Sequence, residues 1–144
     1  MESPASTKAT AAADVSDPSL LFNRELSWLH FNERVRLQIE DGQHKLLDRV
    51  KFLSIYATNL EEFVMVRVAS HLRKIRAGVD DVSPDGQTTS ALLKMLRKRI
   101  AEMLREQSRA WTDVLRPRLR EQGLRFLDWA ELTPPMIEHL ARHF

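Results

Sequence analysis

Cysteine is absent from the 144-residue chain. That excludes disulfides, thiolate metal sites and thiol nucleophiles, and it leaves the compartment open with a cytosolic setting as the default. Glycine is scarce, with four scattered along the sequence, so no Gly-rich phosphate-cradling loop can be assembled. No apolar run approaches the 18 or so residues that a membrane span requires. A large excess of either charge is missing too. The net charge of +2 nevertheless conceals an asymmetry: residues 1–63 carry 7 Lys/Arg against 10 Asp/Glu, and residues 64–144 carry 15 against 10. The second half is the natural neighbour of any anionic partner. What is present is ordinary for one globular domain, 43% hydrophobic with 29% charged, and sufficient for a modest core.

Residues 1–20, which begin MESPASTKATAAADVSDPS, are rich in Ala, Ser, Thr, Pro and Asp and have no apolar h-region. They read as a disordered leader, not a signal peptide. From Glu25 to about Asp41 the apolar residues Leu26, Leu29, Val35 and Ile39 recur at helical spacing, with Asn23 or Ser27 available as cap and Asp41-Gly42 as the stop. A second, nearly all-round apolar helix is expected from about His44 to Ala57, and a third from about Asn59 to Arg76. Val64, Val66 and Val68 alternate like a strand, but the capping pattern before them and the basic continuation favour helix. Gly78–Thr89 is a loop by its breakers. A long amphipathic helix follows from about Ser90 to Leu115, with Leu92, Leu96, Ile100, Met103, Leu104, Trp111, Val114 and Leu115 on one face, and Pro117 should kink or end it. Thr133-Pro134-Pro135 opens another helix, which is still periodic at Phe144 and looks cut short. The expectation is an all-α bundle of about four main helices plus the start of a fifth, organised as a leader (1–20), a helical domain (21–130) and the beginning of a further segment (131–144).

Three groups of side chains invite a chemical reading. His139 and His143 stand i,i+4, a spacing that can face one metal ion, yet the HExxH glutamate is lacking and no third ligand suggests itself. A solvent-facing pair is favoured and no metal site is expected. Glu61 and Glu62 as an acid–base pair yield to the plainer reading of acids in a helix first turn. Lys94, Arg97, Lys98, Arg99, Arg105 and Arg109 make a basic flank that could follow an acidic polymer; stacking aromatics are not interleaved among them, which favours a solvated face.

The stretch Ser54–Val68, SIYATNLEEFVMVRV, is the informative one. Asn59 three residues before Glu62 has capping-box spacing, as do Thr58 and Glu61. A helix N-terminus with free amides also suits a polar or anionic ligand. Spacing favours the cap and leaves the ligand open.

Phe22-Asn23-Arg24-Glu25-Leu26-Ser27-Trp28-Leu29-His30-Phe31-Asn32-Glu33-Arg34-Val35, then Leu46-Leu47-Asp48-Arg49-Val50-Lys51-Phe52-Leu53-Ser54-Ile55, then Asn59-Leu60-Glu61-Glu62-Phe63 through Met65-Val66-Arg67-Val68, closely resemble the N-terminal domain of bacterial polyphosphate kinase, the long histidine-phosphorylated type. The likeness continues more loosely through Gly123–Leu127 and Trp129–Pro134. Lys45 stands where that family usually has proline, Glu61 where Asp is commoner, and Arg36 where Leu is commoner. The resemblance implies an ATP:polyphosphate phosphotransferase that reversibly moves the terminal phosphate of ATP onto polyphosphate through a phosphohistidine, with Mg2+ held by later domains. It also implies a homodimer formed through this domain, the remaining kinase domains in cis, no nucleic-acid partner, and a cytoplasmic enzyme for which a peripheral membrane association stays open. Carried over residue by residue, Asn59 contacts ATP on the adenine side. None of the five histidines matches the phosphorylated one, and this segment alone is expected to be inactive. Two rivals remain: a stand-alone basic helical module that binds an acidic polymer (polyphosphate or nucleic acid), and a product that only dimerises.

Overall fold

The structure is a computed structural model and describes residues 17–143; most of the expected leader lies outside the described residues. A short 3-10 turn, Pro18–Leu20, precedes α1 (Arg24–Glu40). The next rod comprises α2 (Leu46–Phe63), a π-helical turn (Val64–Val68) and α3 (Ala69–Arg76). After a loop come α4 (Thr89–Arg109), a second π turn (Ala110–Leu115) and α5 (Arg116–Glu121). A 3-10 turn at Trp129–Glu131 and α6 (Pro134–Ala141) finish the chain. Among the described residues the only β feature is an isolated bridge between Val82 and Thr88. No described helix is long and apolar enough to cross a membrane.

The all-α expectation holds, with three long rods laid side by side. α1 returns along α2, and α4 packs on α3 while also touching α1 and α2. Their shared core is Leu29 and Ile39 from α1, Tyr56, Leu60 and Phe63 from α2, and Leu92, Leu96 and Met103 from α4, closed by Ala110 and Leu115. Burying each large side chain contributes about 1.5–3 kcal/mol. These contacts, not local propensity, hold the helices in place.

Side-chain chemistry fixes the ends. Asn23 caps α1, its Oδ1 accepting from the backbone N–H groups of Glu25 (3.0 Å) and Leu26 (3.2 Å). Its Nδ2 donates to Asp85 (3.0 Å), which ties the start of α1 to the 78–88 loop. At the other end, buried Arg49 donates through Nε to the Ile39 carbonyl at 2.5 Å, satisfying one of the acceptors that a helix C-terminus leaves without a partner. Burial, with the charge of Arg118 adding to it, lowers the Arg49 pKa. α1 is joined to α4 by two ion pairs, Arg99 with Glu33 at 3.0 Å and Arg36 with Glu106 at 3.6 Å, and Arg36 also holds Glu33 of its own helix at 2.6 Å. Burial opposes the Arg36 charge, but its bonds to Glu33 and Glu40 outweigh that and raise its pKa. Gly78, at φ +74°, lets the chain turn out of α3, with Val79 N–H reaching back to the Lys74 carbonyl.

Several expectations give way to contacts across the bundle. The sequence suggested a break at Thr58-Asn59, yet α2 runs unbroken from Leu46 to Phe63. Tyr56, Leu60 and Phe63 lie on the core face across that point, and their burial overrides the local capping signal. Asn59 is therefore no cap, and Glu61 and Glu62 are not in a first turn. The alternating valines are neither strand nor plain α-helix. β-Branched residues crowd the preceding helical turn, and here the ladder widens, with Ala69 N–H reaching back five residues to the Val64 carbonyl. Pro117 also fails to end its helix. The π turn before it carries Arg116 N–H back to the Trp111 carbonyl, and the helical path continues through buried Leu115 and Leu119. Leu104, expected on the apolar face of the long helix, is about half exposed (52%).

Candidate functional site

A cleft of about 540 Å³ opens beside the segment that the sequence singles out. Its lining on the α2–α3 rod is Asn59, Glu62, Phe63, Val66, Arg67, Ser70 and Arg73, and on α1 it is Trp28 and Phe31. The rod residues recur at steps of one, three and four, so they form a single strip. At 1.5 Å per residue the strip from Asn59 to Arg73 is about 20 Å long. The size lies within the range of small-molecule sites.

The aromatic wall is built by α1 against α2. Trp28 stacks on Phe63 with centroids 4.8 Å apart and planes 16° from parallel. Phe31 sits 6.5 Å from Trp28, is 47% exposed and carries the Arg34 guanidinium 5.5 Å from its ring centroid. An exposed aromatic at the rim of a cleft offers a face to a planar ligand.

Asn59 stands in the wall next to these rings. Behind it lies Asn32, fully buried on α1. Asn32 Nδ2 donates to the Tyr56 carbonyl at 3.1 Å, and Asn59 Nδ2 donates to Asn32 Oδ1 at 3.0 Å. The Tyr56 carbonyl can only accept, so it dictates which way the Asn32 amide faces, and Asn32 in turn dictates which atom Asn59 presents inward. Asn59 Oδ1 has no hydrogen-bond partner among the described residues. Tyr56 itself is buried, donates through its hydroxyl to the Met103 carbonyl at 3.3 Å, and has its pKa raised by that burial and by nearby Glu33 and Glu106.

Charge along the strip is ordered. Glu62 lies three residues beyond Asn59 and is exposed. Arg67 and Arg73 follow at the far end. Arg67 is 4.0 Å from Glu25, a distance at which a part-exposed pair is weak, and Glu25 is shared with His71 at 3.4 Å. Arg67 and Arg73 are thus available to an anion.

The other marked residues do not converge on this cleft. His139 and His143 are exposed on and just after α6, their rings edge to face at 4.7 Å. Among the described residues no group of three His, Asp or Glu could hold a metal ion. Glu61 lines a separate, apolar depression against α4, so it does not pair with Glu62 across one site. The basic flank is interrupted: Arg99 is engaged by Glu33, Glu102 and Glu106, while Lys94, Arg97, Lys98, Arg105 and Arg109 are exposed. A second cleft of about 480 Å³ near the end of α5 gathers Arg116, Arg120 and Arg125, together with Glu121 and Glu131. Asn32 is not among the residues that the sequence singles out. A polar residue on the apolar stripe between Leu29 and Ile39 was its signal, and nothing in the local pattern named its partner.

Comparison with known proteins is specific. Residues 21–127 match the model of the Polyphosphate kinase N-terminal domain family. Over 119 residues the chain is 42% identical to Polyphosphate kinase 1 of Chlorobaculum tepidum, covering 82% of this chain and 17% of that protein. Over 131 residues it is 37% identical to the Polyphosphate kinase of Synechocystis, covering 91% and 18%. The Polyphosphate kinase of Mycobacterium avium is 39% identical over 141 residues, covering 98% and 19%. The chain thus spans less than a fifth of the length of these relatives. No solved structure matches it. With a match over residues 21–127 and such identity across most of its length, the chain belongs to the polyphosphate kinase N-terminal domain family.

Proposed function

We propose that this domain is the nucleotide-side and dimerisation domain of a polyphosphate kinase, and that its Trp28–Asn59 cleft receives the adenine end of ATP. The observation that carries the reading is Asn59, an amide with an unused acceptor, set beside exposed Phe31 in a cleft whose far end holds Arg67 and Arg73. The base stacks against the aromatic rim and meets the Asn59 amide, in the way that an asparagine reads an adenine edge. Glu62 repels phosphate near the base end, and Arg67 and Arg73 attract it at the other, so a nucleotide has one favoured direction along the strip. The loss of a helix N-terminus at Asn59 leaves this work to side chains.

Transfer of the terminal phosphate of ATP to polyphosphate requires groups that neutralise the moving phosphoryl charge. An amide and an aromatic wall cannot do that. The phosphohistidine, Mg2+ and the polyphosphate chain are assigned in this proposal to the rest of the kinase, acting in cis, and these 144 residues alone are expected to have no kinase activity. No described cluster fits a metal.

The test is a polyphosphate kinase that carries this domain with Asn59→Ala. The KM for ATP should rise several-fold with kcat less affected, because the amide binds a part of the substrate remote from the reacting phosphate. An unchanged KM rejects the site.

A further inference from the structure

We propose that Asn32 is a positioning residue that locks the Asn59 amide with its oxygen toward the cleft, and that this lock makes the site select a purine bearing a 6-amino group. The inference rests on the nucleotide reading above and adds to it the group that sets base choice.

The argument is one of donors and acceptors. A planar amide free to rotate presents either its oxygen or its NH2, because the two ends of an asparagine are nearly isosteric and its outer torsion has two broad wells. Asn59 is not free. Its Nδ2 is held 3.0 Å from Asn32 Oδ1. Turning it over would set two oxygens against each other in a place where Asn32 is fully buried and water cannot intervene. Asn32 cannot turn over to accommodate it, since its own Nδ2 is committed to the Tyr56 carbonyl at 3.1 Å. The chain of constraint begins at a backbone atom that has no alternative role. Asn59 therefore offers Oδ1 as an acceptor in a fixed place, with its one remaining Nδ2–H beside it, to whatever enters the cleft.

A 6-amino purine donates to that acceptor. A 6-oxo purine, as in inosine or guanosine nucleotides, brings a carbonyl to the same place and meets acceptor with acceptor. Selection follows from an orientation enforced one residue behind the contact, and Asn32 itself touches no ligand.

The experiment measures the affinity of the chain for ATP and for ITP by titration calorimetry. The unmodified chain should prefer ATP by about tenfold or more, the equivalent of one well-made hydrogen bond. Asn32→Ala should bring the ratio to within about twofold, because the released Asn59 amide can then turn its NH2 to the 6-oxo group. Asn32→Asp should restore the preference: a buried carboxyl takes up a proton, donates to Tyr56 and still accepts from Asn59. A merely structural role for Asn32 would weaken both nucleotides equally and leave the ratio unchanged, and that result overturns the proposal. Should the alanine variant fail to fold, the ratio in the unmodified chain still decides, since a value near one contradicts the lock. Absence of binding by either nucleotide to the unmodified chain would reject the nucleotide reading itself, and this proposal with it.

Discussion

Removing the Asn59 side chain should cost stability as well as affinity, although the residue is only half buried. Asn59→Ala takes away the donor to Asn32 Oδ1, and Asn32 is fully buried. A buried acceptor stripped of its donor costs about 1–3 kcal/mol. For a domain of this size that corresponds to a fall of about 2–10 °C in melting temperature. Alanine is a better helix former than asparagine, which returns a few tenths of a kcal/mol, about 0.5 at most. The net loss expected is thus about 0.5–2.5 kcal/mol. The assay is urea and thermal unfolding followed by helical circular dichroism, on Asn59→Ala, Asn32→Ala and the double variant. Once Asn32 is alanine no acceptor remains to be stranded, so Asn59→Ala should then be close to neutral. The two changes should be non-additive by about 1 kcal/mol. Additive losses would show that the two amides are not coupled, and the orientation argument would fail with them.

Three further outcomes are expected. Arg67→Gln with Arg73→Gln should weaken ATP binding, by a factor that shrinks as salt is raised; an affinity loss indifferent to salt would deny them a phosphate-side role. Leu96→Ala, at a fully buried core position, should destabilise by about 2–5 kcal/mol in chemical denaturation, and a loss under 1 kcal/mol would contradict the packing of α4. Asp85 accepts from Ser83 and Asn23, which lowers its pKa below the usual 3.8, against a smaller effect of burial. A carboxylate with a depressed folded-state pKa adds stability above its unfolded value and loses it as pH falls through the folded one. Asp85→Asn should accordingly be less stable than the unmodified chain at neutral pH, and the gap should close in melts taken below about pH 4.

Much of the fold was legible because helical periodicity is local. Asn23 as the cap of α1, the Asp41-Gly42 stop, the 78–88 loop and the buried face of Leu92, Leu96 and Met103 all follow from nearest neighbours in sequence. What was not legible depends on contacts across the bundle. Thr58-Asn59 carries every local mark of a helix start, and only the insertion of Tyr56, Leu60 and Phe63 between α1 and α4 shows why the helix passes through. Pro117 reads as a kink or a stop until the π turn before it is seen to re-route the backbone bonding. The site shows the same division. In the proposed site Asn59 is named by the resemblance, Glu62 and Arg67 stand next to it in the motif, and Asn32, which accepts from Asn59, is 27 residues away on another helix. Local spacing cannot report an orientation set by a distant partner.

The most direct measurement is a residue-resolved NMR titration of the chain with ATP. The account predicts that shifts concentrate on Trp28, Phe31 and the strip from Asn59 to Arg73, with the Asn59 side-chain amide among the most affected. Shifts confined instead to the arginines of α5 and the segment after it, with Asn59 unmoved, would contradict it.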